Sequence, residues 1–302
     1  MKIAVTGASG LIGRALCTRL TEAHHTVVAL VRSPGRGSTP SAGEVVVWEA
    51  LSGPPSAEAL DGCDAVVHLA GAPVAAGRWT ARRKKLIRDS RVVGTRNLVE
   101  ALSLCQKPPS VLVSGSAIGY YGNSGDQVLD ETSPAGEGFL AEVCCQWEME
   151  AQRAAQWGVR VVLLRTGLVL SLDGGALPRI LPPFQMFVGG PLGSGSQWMS
   201  WIHIRDEVES IVYALETESL QGPVNLSAPN PVTNEQFSHA LARVLGRPAL
   251  FRVPSLVLRI LLGEMAESLL LEGQRVVPAG LQQAGYSFHY SDLESSLQDL
   301  IH

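Results

Sequence analysis

Short apolar runs alternate with helical stretches through the first half of the chain. Ile3–Thr6, Thr26–Val31, Glu44–Trp48, Ala65–Leu69, Val111–Ser114 and Val159–Leu164 are all rich in Val, Ile and Leu. Several are apolar on both faces, the pattern of a parallel strand covered by helices on both sides. Between them, Arg83–Leu102 carries Leu86, Ile87, Val93, Asn97, Leu98, Ala101 and Leu102 mostly at three- and four-residue spacing, which predicts an amphipathic helix. Strand–helix alternation of this kind predicts an α/β fold with a right-handed, doubly wound parallel sheet.

After residue 170 the alternation breaks. Residues 173–200 are dense in breakers, with Pro178, Pro182, Pro183, Gly189, Gly190, Pro191, Gly193 and Gly195. Such a stretch forms an ordered, ligand-facing loop or a disordered linker. Beyond it, Asp206 is expected to cap a helix reaching Glu216, and Pro223–Ala228 reads as a strand. A further helix over Asn234–Leu245 ends at Gly246, and a capping box of Ser291 and Glu294 opens the last one. The most apolar segment, Val253–Gly263, contains Pro254 and Arg259; it is too short to span a bilayer and predicts a buried or interface helix. The expected division is a nucleotide-binding domain over 1–170, completed by about 205–226, with 171–204 and 227–302 forming a small C-terminal α/β substrate-binding lobe.

The sharpest motif is Thr6-Gly7-Ala8-Ser9-Gly10-Leu11-Ile12-Gly13, placed between the first predicted strand and the first helix. Gly7 permits a tight turn, Gly10 admits a pyrophosphate to the backbone, and Gly13 allows close helix–strand packing. The backbone of Leu11 and Ile12 then opens the helix whose free N–H groups face the phosphates. A glycine-rich turn without a ligand is the blander alternative. At the end of the second strand stands Val31-Arg32-Ser33. An acid there would hold the ribose hydroxyls of NAD, whereas the Arg32 fork suits a 2′-phosphate, so NADP is the expected cofactor. A solvated loop arginine is the alternative, and Arg36 competes for the same role.

Composition narrows the chemistry. The chain has 302 residues, 46% of them hydrophobic and 17% charged, as expected of a globular protein with a large core. A net charge of −4 argues against nucleic acid as partner, and no segment suits a membrane. The five cysteines show no CxxC pair, no Cys/His cluster has metal-ligand spacing, and no signal peptide precedes the first strand, so a cytoplasmic setting is expected. Of the 24 basic residues only Lys2, Lys84, Lys85 and Lys107 are lysines, so nothing after residue 107 serves as an amine base. Arg82, Arg83, Lys84, Lys85 and Arg88 form a basic run read as a solvated helix face.

With this loop, Asp64-Ala65-Val66-Val67-His68-Leu69-Ala70-Gly71 and the Gly94-Thr95 helix, the chain resembles an extended short-chain dehydrogenase/reductase with a Rossmann sheet. Ser116-Ala117-Ile118-Gly119-Tyr120-Tyr121-Gly122, Phe139–Cys144, Leu164-Arg165-Thr166-Gly167, Trp201–Ile204 and Leu271–Pro278 narrow the resemblance to its atypical, nucleoside-diphosphate-sugar epimerase-like group. The resemblance runs the length of the chain. It implies NADP binding and leaves the substrate open. Leu69, Ala70 and Gly71 then line the adenine–ribose side, Val169 touches the nicotinamide half, and Arg91, where relatives carry asparagine, reaches the cofactor phosphates or ribose. Two departures follow. The superfamily's Tyr-x-x-x-Lys falls near 139–144, where this chain has Phe139, Leu140, Val143 and Cys144; and Ala72 replaces the group's usual acid after Leu69-Ala70-Gly71.

If the chain is an enzyme, its proton donor lies elsewhere. Ser116 sits near the superfamily's catalytic serine position, and a hydroxyl of Tyr121 or Tyr120 bonded to Ser116 is the candidate acid; inward packing of one tyrosine and loop capping by the other weigh equally. His203 is a second candidate acid, or a structural residue before the next helix. Trp198 and Trp201 wall a substrate pocket or pack in a lobe interface. Arg165 pairs with a substrate anion or makes a salt bridge at its strand end. The two expectations are an NADP(H)-dependent oxidoreductase or epimerase-like enzyme on a small carbonyl, hydroxyl or nucleotide-sugar-like substrate, compatible with a homodimer, and a non-catalytic NADP(H)-binding redox sensor or scaffold.

Overall fold

A computed structural model describes residues 1–33 and 43–302; Arg36 lies outside the described residues. The first half runs β1 (Lys2–Thr6), α1 (Leu11–Glu22), β2 (Thr26–Val31), β3 (Glu44–Val47), β4 (Ala65–His68), α2 (Ala81–Ser103) and β5 (Val111–Ala117). It continues with β6 (Val128–Leu129), α3 (Phe139–Gln152), β7 (Arg160–Thr166) and β8 (Leu168–Leu170). The second half comprises α4 (Leu177–Gln185), β9 (Trp198–Met199), β10 (Trp201–His203), α5 (Ile204–Glu216), β11 (Gly222–Leu226), β12 (Val232–Thr233) and α6 (Asn234–Leu245). Last come α7 (Ser255–Leu262), α8 (Glu264–Ala266), β13 (Arg275–Val276), α9 (Ala279–Gln283) and α10 (Leu293–Ile301).

Seven strands form one parallel sheet in the order β11-β7-β5-β4-β1-β2-β3. The pleat explains why the inner strands are apolar throughout. Ile3, Val5, Val27, Ala29, Ala65, Val67, Val111 and Val113 face one way and pack with Leu16, Leu20, Val208 and Ile211 of α1 and α5. Ala4, Val28, Leu30, Val66, Leu112, Val161 and Leu163 face the other way, against Leu98, Val99 and Leu102 of α2 and Ala151 of α3. Each large side chain fully buried this way contributes about 1.5–3 kcal/mol. The strand order reverses between β1 and β4. Both strands end at the same edge of the sheet, and the crevice there is where a doubly wound sheet binds its ligand.

The expected ordered stretch before β9 includes α4, despite Pro182 and Pro183 inside it. Leu177, Leu181 and Phe184 of α4 join Trp201, Phe237 and Leu241 of α6, and Leu293 and Leu297 of α10, in a third core. Three expectations change. α5 is capped by His203, whose ring accepts from the Arg205 N–H; Asp206 is buried in the first turn and accepts from the backbone N–H groups of His289 and Tyr290. α10 is capped by Asp292 accepting from Ser295, so Ser291 and Glu294 form no capping box. Finally, α7 buries only Leu258 and exposes Leu256, Ile260 and Leu261, so of the two readings of the most apolar segment the buried helix is excluded and the interface helix stands open.

Candidate cofactor-binding and active site

Gly7 follows β1 in a left-handed turn with φ +68°, and three residues on Gly10 forms the N-cap of α1, which begins at Leu11. The loop leaves no room for side chains. A Cβ at Gly13 would stand 2.2 Å from the Gly7 carbonyl oxygen, and one at Gly7 would stand 2.7 Å from the backbone of Leu69. At Gly10 the nearest atom to a Cβ is the Gly7 oxygen at 3.2 Å, so that position is open toward the crevice. Gly10 caps α1 without a side-chain bond, which leaves the N–H groups of the first turn facing outward.

The rest of the predicted cofactor set gathers around this loop. Leu69 donates to the Thr6 carbonyl and Ala70 to the Thr6 hydroxyl, tying the end of β4 to that of β1. Gly174 and Gly175 close over Leu11, and a Cβ at Gly175 would lie 3.6 Å from the Val169 carbonyl, so Val169 and Leu11 sit on one wall. Val31 is buried at the end of β2, whereas Arg32 and Ser33 are exposed beyond it, and Arg32 makes no ion pair with a described residue.

His68 anchors this crevice, which the sequence reading passed over although a histidine closing an all-apolar strand was the available signal. It is fully buried, with Nδ1 2.7 Å from the Thr6 hydroxyl and Nε2 2.9 Å from the Thr95 hydroxyl. Burial pushes its pKa down to about 4, so the ring is neutral and shares both hydroxyls.

The candidates for chemistry are arranged otherwise than expected. Ser116 donates to Glu148 Oε1 at 2.6 Å rather than bonding a tyrosine. Arg165 grips both oxygens of Glu148 at 2.9 Å, so its fork is spent on a buried ion pair and not open to a substrate anion. Burial works against the Arg165 charge, but the bonds and charge of Glu148 outweigh it and hold its pKa above the ordinary value. Tyr121 is 1% exposed, donates to Asn225 Oδ1 at 2.7 Å and accepts from Arg165 at 3.0 Å. Burial raises its pKa to about 12, against the opposing bonds. Tyr120 differs. Its ring lies 3.5 Å from the Arg165 guanidinium and edge-on to Tyr121, and its hydroxyl has no partner among the described residues. Glu148 was missed too; with Ala141, Cys144 and Ala151 it falls on the buried stripe of α3, where an acid needs a partner.

The remaining candidates make bonds within the fold. Trp201 is fully buried in the third core with its Nε1 donating to the Asn230 carbonyl, so it walls no pocket. Trp198 donates to Asp126 and carries Arg275 over its ring at 4.3 Å. His203 stacks on Tyr290 at 4.0 Å while capping α5, and burial lowers its pKa despite Asp299 at 3.2 Å.

Glu207, in the first turn of α5, is a buried carboxyl that the sequence did not single out. Thr166 donates to Oε1 at 3.0 Å, while Oε2 has no partner among the described residues. Burial, only partly opposed by the Thr166 bond, lifts its pKa from 4.5 to about 8. The unfolded chain therefore loses this proton near pH 4.5 and the folded chain near pH 8. Stability is expected to fall as pH rises through that window, with no further loss from this group above it. Thermal melts across the window should show this slope in the wild type and a flatter one in Glu207→Gln. Parallel slopes in the two would show that Glu207 is ionised in the fold.

A parallel sheet with a glycine cradle at its strand-order reversal defines a dinucleotide-binding Rossmann protein of the extended type. The chain belongs to the NAD-dependent epimerase/dehydratase family, whose pattern it matches over residues 3–227; residues 253–300 match a separate domain family of unknown function, DUF1731. It is 43% identical to an epimerase family protein of Mycobacterium tuberculosis over 98% of this chain and 96% of that one. It is 42% identical to the chloroplastic epimerase family protein SDR39U1 homologue of Arabidopsis thaliana, over 100% of this chain and 87% of that one. Among solved structures, human epimerase family protein SDR39U1 with NADPH superposes with a TM-score of 0.88 at 34% identity, covering 99% of each chain. Among the described residues, no helix is long and apolar enough to cross a membrane.

Proposed function

We propose that this chain binds NADP(H) and acts as an oxidoreductase or epimerase-like enzyme on a small carbonyl, hydroxyl or nucleotide-sugar-like substrate. The carrying observation is the cradle. Gly7 and Gly13 have backbone where side chains would be, and the open face at Gly10 adjoins the unspent N–H groups of α1. Gly7, Gly10, Leu11, Ile12 and Gly13 would hold the pyrophosphate. Arg32, exposed and without an ion-pair partner among the described residues where an acid would select NAD, would hold the 2′-phosphate. The human relative crystallised with NADPH supports the same cofactor.

When bound, a nicotinamide cofactor supplies hydride transfer. The protein's part is to place a proton donor beside the reacting oxygen. Phe139, Leu140, Val143 and Cys144 contain no acid or amine at the superfamily's usual position. Ser116 and Tyr121 are committed to Glu148, Asn225 and Arg165. Tyr120 is left, its hydroxyl without a partner among the described residues and its ring under a fixed guanidinium. Those commitments of Ser116 and Tyr121 also favour the second reading, a non-catalytic NADP(H)-binding sensor or scaffold.

Cofactor turnover separates the two. Wild type and Tyr120→Phe are each given NADPH with a panel of aldehydes, ketones and nucleotide sugars. Catalysis is supported by oxidation that needs substrate and falls at least about a hundredfold in the variant with NADPH affinity retained. If no member of the panel is turned over, the binding-only reading replaces it. In parallel titrations, wild type is expected to bind NADPH at least about tenfold tighter than NADH, and Arg32→Asp to lose that preference. Equal affinity of the wild type for both would remove NADP specificity from Arg32.

A further inference from the structure

α7 stands on the outside of the C-terminal lobe as an apolar ridge. It is anchored by Leu258, which is buried, and by Leu262, which packs with Trp79, Ile87 and Met265. On its outer side Leu256 and Ile260 form one row and Val257 and Leu261 the next, both at the four-residue spacing of neighbours on a helix surface. Leu256, Ile260 and Leu261 are between 62% and 64% exposed.

The segment leading into α7 extends this surface. Leu250 is 76% exposed and Phe251 is exposed beside it. The Phe251 N–H donates to the Gly189 carbonyl at 3.4 Å, which brings up Met186, 70% exposed, and Phe187, also exposed, from the end of α4. Val253 donates to the Pro191 carbonyl at 2.9 Å and accepts from the Gly193 N–H at 2.8 Å, so backbone bonds hold the surface in place before any partner arrives. At about 150–200 Å² for a large side chain, these residues leave roughly 800 Å² of apolar surface open. The largest apolar patch on a soluble monomer is about 300–600 Å², whereas each half of a standard protein interface is about 800 Å².

The bordering charges indicate what covers it. Arg252 pairs with Glu235 and Arg259 with Glu267, each at 2.7 Å, so neither arginine beside the ridge is left for an outside anion. An anionic lipid surface or an acidic peptide would draw on unspent cations at this place, and the chain's net charge of −4 opposes both. An apolar face bordered by ion pairs is complementary to itself. That is the condition for an isologous contact, in which one patch meets its own copy across a two-fold axis. Methionine and phenylalanine among aliphatic residues also suit the core of such a contact.

We propose that a second copy of this chain covers α7, giving a two-fold dimer joined through the C-terminal lobes. The two α7 helices cross at the axis, the rows of one lying in the grooves of the other. The Arg252–Glu235 and Arg259–Glu267 pairs form the polar rim.

Sedimentation velocity on the full chain, over about a hundredfold range of concentration, tests this, with a thermal melt to establish that each variant folds. Wild type is expected to run at twice the mass of the chain and Ile260→Glu at the mass of one. The dissociation constant should rise at least about a hundredfold, because a two-fold contact meets the substitution twice. Leu104→Glu is the control. Leu104 is 69% exposed just past the C-terminus of α2, while Lys84 at the other end of that helix bonds Glu264 of α8, next to α7. This variant should remain a dimer. If Ile260→Glu does not fold, Leu256→Ser carries the same test. A wild type that stays monomeric throughout, an Ile260→Glu that stays dimeric, or a dimer lost equally in Leu104→Glu overturns the proposal. So does a monomeric wild type that pellets with phosphatidylglycerol vesicles, since lipid would then be what covers the ridge.

Discussion

Gly13→Ala is expected to lose NADPH binding by about a hundredfold or more, corresponding to roughly 3 kcal/mol. Alanine is the better helix former, so α1 itself gains from the change. The loss comes from the loop. The added methyl carbon would stand 2.2 Å from the Gly7 oxygen and 2.8 Å from the Ala8 Cα, both backbone atoms with no rotamer to escape into. Gly7 cannot retreat, because its own turn lies against the backbone of Leu69 and Ala70. The cradle must therefore open. Gly10→Ala is the informative partner, since its Cβ meets only the Gly7 oxygen at 3.2 Å. It should fold and melt like wild type yet bind NADPH much more weakly, because its methyl occupies the open face. Wild-type affinity in Gly10→Ala would mean that the phosphates do not lie over this loop.

Removing Glu148 is expected to have the largest effect on stability. Arg165 is 3% exposed and, among the described residues, Glu148 is the acid that meets its charge; Tyr121, the Tyr120 ring and the Glu131 carbonyl are further partners. Glu148→Ala leaves that guanidinium buried without a counter-charge and strips Ser116 of its acceptor, at about 3–5 kcal/mol. For a domain of this size the thermal midpoint should drop by roughly 6–20 °C. The double variant Glu148→Leu, Arg165→Met should recover much of the loss, since burying neither charge is cheaper than burying one. A single variant melting within about 2 °C of wild type would show that solvent reaches Arg165 in solution.

The alternation of both-face apolar strands with amphipathic helices made the parallel sheet legible, because each strand has to satisfy two helical layers at once. The cofactor loop was legible for a similar reason: its requirement is backbone space, and only glycine provides it. Helix starts were less so. Asp206 and Ser291 are both good caps by residue type, but Asp206 is drawn into bonds with His289 and Tyr290, and Asp292 lies one residue closer to the helix it caps. Val253–Gly263 reads from its composition as a buried or an interface helix, and composition alone could not choose; the packing around α7 leaves Leu256, Ile260 and Leu261 exposed.

The sequence by itself determined that a dinucleotide loop opens a doubly wound sheet, that an arginine follows the second strand where an acid would select NAD, and that α3 carries neither tyrosine nor lysine for catalysis. These are local facts, written in residues a few positions apart. Only the tertiary structure decided which hydroxyl is free, which arginine is paired and which histidine is neutral. Glu148 lies 32 residues from Ser116 and 17 from Arg165, and Tyr121 lies 104 from Asn225. Hydrogen bonds across such separations depend on how the strands line up, and one shared acid fixed two candidates, Ser116 and Arg165, at once.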